Sequence, residues 1–220
     1  MHFYNSILPI FHNYCRTAIN YKRIKMLKLD LPNSDIVYYP NLWSLKEANV
    51  LLQKLENNIQ WQQDYITLFG KTHLQPRLTA WYGDRGKIYS YSGITMYPHD
   101  WIRPLLTIKE TIEPIAKVNF NSVLLNFYRN GQDSMGWHSD NEKELGKKPI
   151  IASVSFGGER QFLLKPRDKN VTTRGEILLN HGSLLIMAGN TQKYWLHQIP
   201  KTTKFVSSRI NLTFRVIVTP

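Results

Sequence analysis

Cysteine is almost absent from this chain of 220 residues, since Cys15 is the only one. A single cysteine cannot form a disulfide within the chain, and it excludes any metal site built only of thiolates. Any metal that this protein holds must therefore be bound by histidine, carboxylate and water.

Long apolar runs are also missing. No stretch of about 18 apolar residues occurs, which excludes a transmembrane helix. The apolar segment 7–11 is too short for a signal-peptide core, and the basic residues of 16–28 follow it instead of preceding it. We therefore expect an intracellular protein, nuclear or cytoplasmic, without a membrane partner. The first acidic residue is Asp30, which fits an organellar presequence and a basic arm that contacts nucleic acid equally well.

Acidic residues are scarce relative to basic ones. The chain has 16 Asp and Glu against 28 Lys and Arg, a net charge of +12 and a pI near 9.7. This balance favours a polyanionic partner, with nucleic acid as the first candidate. The charges are scattered, however, so a role in solubility alone explains them equally well. Apolar residues make up 42% of the chain, which is enough for a packed core and excludes a disordered protein.

Two amphipathic helices are predicted in the first half of the chain. Ser44 and Glu47 form a capping box, and apolar residues then recur at helical spacing, which predicts a helix over about 44–58. A second helix is predicted over 101–118, with Pro104 in its first turn. Residues 1–35 show no sustained periodicity and are interpreted as a basic N-terminal extension.

From residue 119 onward the sequence consists of short β-prone runs separated by turn residues. The candidate strands are 122–129, 150–156, 160–165, 176–180, 183–188, 193–198 and 209–218. Many short strands at this spacing are typical of a double-sheet jelly roll or a barrel.

His138-Ser-Asp140 is the first candidate for chemistry. Residues two apart on an extended segment project to the same side, so His138 and Asp140 can grip one ion, with His197 as a third ligand. Two histidines and one carboxylate leave up to three positions of an octahedral Fe(II) open for a bidentate co-substrate and O2. A polar surface loop at His138 and a purely structural His197 are the alternatives.

The last predicted strand alternates polar and apolar residues. Its polar face carries Arg209, Asn211, Thr213 and Arg215. The two arginines lie about 20 Å apart at roughly 3.3 Å per residue. Their long side chains can still converge on the two ends of a short dicarboxylate. An edge strand with its polar face in water would show the same alternation.

Together these motifs resemble a known family. Arg209-Ile-Asn-Leu-Thr-Phe-Arg215, His138-Ser-Asp140, His181-Gly-Ser-Leu-Leu-Ile-Met187 and His197 are similar to the AlkB family of Fe(II) and 2-oxoglutarate-dependent dioxygenases. The resemblance runs from about Pro76 to Val216. Pro76-Arg-Leu-Thr-Ala-Trp-Tyr-Gly83 and Ile150-Ile-Ala-Ser-Val-Ser-Phe-Gly157 look most like its eukaryotic-type demethylases, which repair alkylated bases.

The resemblance implies a fold, a division of the chain and a set of cofactors. It implies an α+β, mainly β fold, a double-stranded β-helix (jelly roll) core with supporting N-terminal helices. Residues 36–118 would supply helical support and a nucleotide-recognition flap, and 119–220 the catalytic core. The implied cofactors are Fe(II), the co-substrate 2-oxoglutarate and O2.

The resemblance also implies roles for individual residues. The catalytic iron ligands would be His138, Asp140 and His197. The contacts to 2-oxoglutarate would be Asn126, Tyr128, Arg209, Asn211 and Arg215. The contacts to substrate would be Arg77, Tyr89, Tyr91 and Glu142.

The substrate contacts rest on two segments. Tyr89-Ser-Tyr91-Ser-Gly93 resembles the family's flap, where aromatic rings stack on a flipped base, although pairing in a hairpin explains the tyrosines nearly as well. Glu142 stands where the family places an acidic residue that senses the exocyclic amine of the damaged base. Phe69 is a candidate for an apolar wedge, with burial in a surface loop as the alternative.

The function implied is an oxidative demethylase of 1-methyladenine and 3-methylcytosine type lesions. It would act as a monomer on alkylated DNA, single- or double-stranded, or on RNA, and release formaldehyde, succinate and CO2. One alternative is a 2-oxoglutarate-dependent hydroxylase or demethylase of a protein or small molecule. The other is a reader that binds nucleic acid without catalysis.

Overall fold

The computed structural model describes residues 25–68, 70–91 and 94–218. Residues 1–24 and the wedge candidate Phe69 lie outside the described residues. Within the predicted extension 1–35, strand β1 (Leu27–Lys28) pairs with β2 (Asp35–Tyr39). The carbonyl of Pro32 accepts a hydrogen bond of 2.9 Å from Trp195 Nε1. This part of the chain is therefore attached to the core, and the boundary at residue 35 stays a prediction.

The described residues form a mainly β fold with two long helices. The helices are α1 (Leu45–Asn58), α2 (Arg103–Ala116) and the single turn α3 (Thr191–Tyr194). The remaining strands are β3 (Tyr65–Leu68), β4 (Lys71–Leu74), β5 (Leu78–Gly83), β6 (Tyr89–Tyr91), β7 (Ile94–Met96), β8 (Ser122–Tyr128), β9 (Met135–His138), β10 (Ile151–Gly157), β11 (Arg160–Pro166), β12 (Gly175–Leu179), β13 (Ser183–Ala188), β14 (Trp195–Ile199) and β15 (Arg209–Arg215). No helix of the described ranges has both the length and the apolar character that crossing a membrane needs.

The strands form two antiparallel sheets and two hairpins. The major sheet has seven strands in the order β1-β2-β13-β10-β15-β8-β5, and the minor sheet has four in the order β12-β11-β14-β9. The hairpins are β3–β4 and β6–β7. This arrangement confirms the predicted mainly β fold with a two-sheet core.

The core has two layers, one on each face of the major sheet. One layer packs α1 and α2 against that sheet and takes in the apolar residues of β15, Ile210, Leu212 and Phe214. The other layer lies between the sheets and includes Phe162 and Leu164 of the minor sheet. The polar face of β15 therefore points toward the minor sheet.

Helix α1 begins at the predicted capping box. Ser44 N donates to Glu47 Oε2 at 2.9 Å, while Glu47 N donates to Ser44 Oγ at 3.4 Å. Ala48, Leu51 and Leu55 are buried, as the helical spacing of apolar residues requires. The predicted helix is confirmed.

Helix α2 is shorter than the predicted span of 101–118 by two residues at each end. Pro104 lies in its first turn, where the missing N–H costs nothing, and Pro114 lies inside the helix. Lys117 ends it in the left-handed conformation, with φ of 56°, and its N–H donates to Glu113 O.

The predicted strand over 193–198 is wrong in its first part. Residues Thr191–Tyr194 form α3, and β14 begins only at Trp195. Strands β1 to β7 and β9 are not among the predicted strands. Five of the six residues of β5 are buried, so it lacks the alternation of a half-buried strand, and β9 is a short run around Gly136.

Candidate active site

Three potential metal ligands come together between β9 and β14. His138 is the last residue of β9, and His197 is its register partner on β14. One ligand atom from each of His138, Asp140 and His197 lies within 4.8 Å of the other two. Asp140 and His197 are buried, with 3% and 4% of their surface exposed, and His138 is half-buried.

Asp140 lies just beyond the end of a strand, whereas the sequence predicts it on the same extended segment as His138. Strand β9 ends at His138, and the backbone N–H of Asp140 donates to Oε1 of Gln192 at 3.0 Å. Gln192 belongs to α3 and is 2% exposed. The sequence shows no signal for this tether, because a polar residue in a short turn is ordinarily exposed.

The two imidazoles are held in defined orientations. His138 Nδ1 lies 2.8 Å from the carbonyl oxygen of Gly136. When Nδ1 carries the proton and donates it there, Nε2 keeps a lone pair for a metal. The ring of His197 stacks on Phe162, with centroids 5.1 Å apart.

Burial and charge set the ionisation of these ligands. Burial lowers the pKa of His197 to about 3 and also lowers the pKa of His138, so both rings are neutral at pH 7. Burial by itself would raise the pKa of Asp140. The positive charge of Arg215 acts in the opposite direction, and the net pKa of Asp140 is below its ordinary value. The set offers two neutral imidazoles and one carboxylate.

This donor set fits Fe(II). Two histidine nitrogens and one carboxylate are the facial ligand set of non-haem iron oxygenases, and they leave coordination positions open. Across residues 25–68, 70–91 and 94–218, no other group of three His, Cys, Asp or Glu side chains converges in this way.

Arg215 is fixed against the metal-ligand candidates. Its Nη2 donates to Asp140 Oδ1 at 2.6 Å, and its guanidinium lies 5.1 Å from the centroid of Tyr89. Its Nε and Nη1 are buried and have no hydrogen-bond partner among the residues that the structure describes. Arg215 thus orients Asp140, and its Nε and Nη1 remain available to donate hydrogen bonds to a ligand.

Arg209 is a buried cation with unused donors. It is 1% exposed, and its Nη2 donates to Ser155 Oγ at 2.9 Å, while Nε and Nη1 have no hydrogen-bond partner within the described part of the chain. None of the ion pairs formed by the described residues includes Arg209. Burial lowers its pKa to about 10, so the side chain is still charged at pH 7. A buried guanidinium in this state fits an anionic ligand such as a carboxylate.

Strand pairing places the other predicted 2-oxoglutarate contacts beside Arg209. In the β8–β15 ladder, Tyr128 pairs with Arg209 and Asn126 pairs with Asn211. The Asn211 amide donates to Ser153 Oγ at 2.8 Å. One cavity between the sheets is lined by all eight predicted metal and 2-oxoglutarate contacts, Asn126, Tyr128, His138, Asp140, His197, Arg209, Asn211 and Arg215.

The alternative of a water-exposed edge strand is wrong for the last strand. β15 lies between β10 and β8, and each of its 7 residues is buried. Its polar residues are therefore enclosed in the protein, which is costly unless they have partners or bind a ligand.

Tyr89 is buried, although a base-stacking residue needs an open ring face. It is 1% exposed, its ring stacks on Trp81 with centroids 4.8 Å apart, and the Arg215 guanidinium covers it as well. Tyr91 ends β6 and pairs with Ile94 across the predicted flap hairpin. Stacking of a base on Tyr89 would therefore require the flap to move.

The remaining substrate candidates occupy different depths. Glu142 is half-buried, and among the described residues its Oε2 has no hydrogen-bond partner. Burial raises the pKa of its carboxyl group. Arg77 is 3% exposed, and its Nε donates to Asn126 Oδ1 at 2.7 Å. Its guanidinium faces the cavity wall. To contact nucleic acid, the side chain would have to give up its hydrogen bond to Asn126.

The chain is similar in sequence to known oxygenases. Residues 35–215 match the family model of the 2OG-Fe(II) oxygenase superfamily. The chain is 43% identical over 192 residues to alpha-ketoglutarate-dependent dioxygenase alkB homolog 3 of Mus musculus, with 84% of this chain and 66% of that protein covered. It is 39% identical over 189 residues to DNA oxidative demethylase ALKBH2 of Bos taurus, with 82% and 68% covered. The chain thus spans slightly less than two thirds of the alkB homolog 3 proteins that it matches.

A solved structure has a similar fold. The structure of OsALKBH1 superimposes with a TM-score of 0.57 over 87% of this chain and 100% of that one, at 19% sequence identity. At this identity the likeness concerns the fold alone.

Proposed function

Because this chain belongs to the AlkB family of 2OG-Fe(II) oxygenases, we propose that it is an Fe(II)- and 2-oxoglutarate-dependent oxidative demethylase of methylated nucleic acid. The observation that carries the proposal is the cavity between the sheets. It combines the His138, Asp140 and His197 cluster with a buried Arg209 whose Nε and Nη1 have no hydrogen-bond partner among the described residues.

We assign the residues of this cavity as follows. His138, Asp140 and His197 would hold the iron. Arg209 would bind the distal carboxylate of 2-oxoglutarate, and the pocket would be completed by Asn126, Tyr128, Asn211 and Arg215. When bound, iron and 2-oxoglutarate supply the oxidising power that, with O2, converts an N-methyl group to formaldehyde and leaves succinate and CO2.

The protein's own part is preorganisation. Arg215 keeps the Asp140 carboxylate ionised and oriented, and burial keeps both imidazoles neutral, so a metal ion meets ligands in the correct protonation states. Apolar side chains such as Leu124 and Phe162 line the same cavity and limit the access of water to it.

We propose 1-methyladenine and 3-methylcytosine type lesions as substrates, in DNA, with RNA as the alternative carrier. The cavity lies between the sheets, so the base must be flipped out of a duplex or already single-stranded. One matching relative is named a DNA oxidative demethylase, and the net charge of +12 suits a polyanionic substrate better than a neutral small molecule.

The substrate contacts belong to the same proposal. Glu142 follows the Asp140 loop, and its Oε2 has no hydrogen-bond partner in the ranges that the structure describes, which supports a contact to the exocyclic amine of the base. Tyr89 and Tyr91 would contact the substrate from the flap, and Arg77 would contact it from the cavity wall. The expectation of a monomer that works in the nucleus or cytoplasm stays a prediction.

The test is formaldehyde release from a methylated oligonucleotide, compared with the same oligonucleotide without the methyl group. We expect release only from the methylated strand, and only with Fe(II) and 2-oxoglutarate present. His138→Ala should abolish it, while His73→Ala, which changes an exposed histidine of β4, should not. Full release by His138→Ala would show that the iron assignment is wrong, and no release by the wild type would show that the substrate is wrong.

A further inference from the structure

A second concave surface lies outside the cavity and carries only one sign of charge. Its charged lining residues are Lys147, Lys148, Arg167 and Lys193, and its lining contains no Asp or Glu. All four side chains are exposed. We call this surface the basic groove.

The groove is built from three separate segments. Lys147 and Lys148 follow the 3-10 turn Lys143–Leu145, Arg167 follows β11, and Lys193 lies in α3. Lys148 has φ of 54°, a left-handed conformation that residues with a β-carbon adopt rarely. The cations thus meet through the tertiary fold and not through a basic run in the sequence.

The basic groove shares its wall with the loop that carries Asp140. Gln192 lines the groove and accepts the hydrogen bond from Asp140 N. Arg167 donates from Nη2 to Ser139 Oγ, and Asn141 lines the groove as well. A molecule in the groove therefore lies against the back of this loop, one residue from the proposed metal ligand.

The cations of the groove have no acidic partners among the described residues. In the part of the chain that the structure describes, Lys147, Lys148, Arg167 and Lys193 take part in no ion pair. Four cations spread over several segments fit a row of phosphates better than a single small anion. Contacts of this kind position a nucleic acid without reading its sequence.

We propose that the basic groove binds the phosphodiester backbone of the strand whose methylated base enters the cavity. This inference rests on the proposed function and adds the path of the strand to it. An acidic protein segment would meet the same charges, and the experiment separates the two.

The experiment compares the wild type with two variants that each remove two positive charges. Lys148→Gln/Lys193→Gln alters the groove, whereas Lys46→Gln/Lys54→Gln alters exposed lysines of α1 and serves as the control. The fluorescence anisotropy of a labelled single-stranded oligonucleotide gives the dissociation constant over a series of salt concentrations. Thermal melting of each variant reports whether the fold is intact.

The proposal predicts a change in the salt dependence of binding. The slope of log Kobs against log salt is negative, and in the groove variant it should become less steep by about 1.4, because each phosphate contact on a single strand contributes roughly −0.7. The control variant should keep the wild-type slope. If the groove variant does not fold, Lys193→Glu alone, at an exposed position, should still make the slope less steep.

The outcomes separate this inference from the proposed function. Equal slopes in the groove variant and the wild type would overturn the groove, even if the wild type demethylates its substrate. A reduced slope in a protein that demethylates nothing would support the groove and refute the function. If the groove variant no longer binds poly-glutamate but still binds the oligonucleotide as the wild type does, the groove would be a site for an acidic protein, and the inference would be overturned.

Discussion

Arg215 and Asp140 form a buried ion pair in which Nη2 donates to Oδ1 at 2.6 Å, and each side chain is 4% exposed. The other carboxylate oxygen, Oδ2, lies 4.0 Å from His197 Nε2. One oxygen of Asp140 is thus held by the arginine while the other faces the histidine. The last residue of β15 thereby sets both the charge and the direction of a proposed iron ligand.

Arg215→Gln should destabilise the metal-free protein. Removal of one partner from a buried pair leaves the other charge without compensation, at a cost of about 3–5 kcal/mol. Urea unfolding should show this loss at pH 7, whereas Arg174→Gln, at an exposed position, should change little. An unchanged free energy of unfolding in Arg215→Gln would contradict the importance of the pair.

The ion pair between Arg215 and Asp140 also predicts how stability and metal binding depend on pH. Because the pKa of Asp140 is lowered in the folded protein, its carboxylate contributes stability above the ordinary Asp pKa of about 3.9. This contribution is lost as the pH falls toward the folded pKa. In Arg215→Gln the pKa of Asp140 should rise, so Fe(II) binding should require a higher pH. Titration of the metal affinity against pH would check this, and identical profiles for both proteins would refute it.

Arg209→Met should separate ligand binding from folding. In the wild type Arg209 is a buried cation that has no acidic partner among the described residues, so its replacement by an apolar residue should leave the ligand-free protein no less stable. The affinity for 2-oxoglutarate should fall about 30-fold, which corresponds to the loss of a charge-assisted interaction of about 2 kcal/mol.

Calorimetry measures the affinity of Arg209→Met for 2-oxoglutarate. Thermal melting with and without 2-oxoglutarate measures the stability of the ligand-free protein and the shift that the ligand produces. The wild type should melt at a higher temperature when 2-oxoglutarate is added, and the variant should show a smaller shift. An unchanged affinity in the variant would place the carboxylate elsewhere.

Tyr89→Ala should reduce stability as well as activity. Removal of a large buried ring typically costs about 3–5 kcal/mol, and here it also removes the stack on Trp81. Tyr89→Phe keeps the ring and should lose less than about 1.5 kcal/mol. If Tyr89 served only as an external platform for a base, Tyr89→Ala would raise KM for the oligonucleotide and leave the melting temperature unchanged.

Ser44→Ala provides a change that affects the fold but not the chemistry. It removes the N-cap of α1 and should cost about 1 kcal/mol. Because α1 packs on the face of the major sheet opposite the cavity, turnover per folded molecule should stay at the wild-type value. Denaturant unfolding combined with an activity assay at low temperature measures both quantities. A large loss of turnover would show that α1 is coupled to the site.

Much of the site could be predicted because its chemistry depends on residue type and spacing. The alternation along β15 indicates two faces, and the capping box locates α1 through local hydrogen bonds. The resemblance to the family then selected His138, Asp140, His197 and Arg209 from among many polar residues. All four line one cavity.

Other features depend on contacts that are distant in the sequence. Gln192 lies 52 residues from Asp140 and yet holds its backbone. Tyr89 is buried because it packs between Trp81 and Arg215. The polar face of β15 points into the protein because that strand lies inside the sheet. No local pattern encodes such relationships, because tertiary packing decides them.

The measurement that tests the central claim most directly is the mass of a 1-methyladenine oligonucleotide after incubation with the wild-type protein, Fe(II), 2-oxoglutarate and air. We predict that the oligonucleotide is converted to the mass of its unmethylated form, with one succinate produced per methyl group removed, and that His138→Ala produces neither change. An oligonucleotide that keeps its methyl group with the wild type, while 2-oxoglutarate is consumed, would contradict the claim that methylated nucleic acid is the substrate.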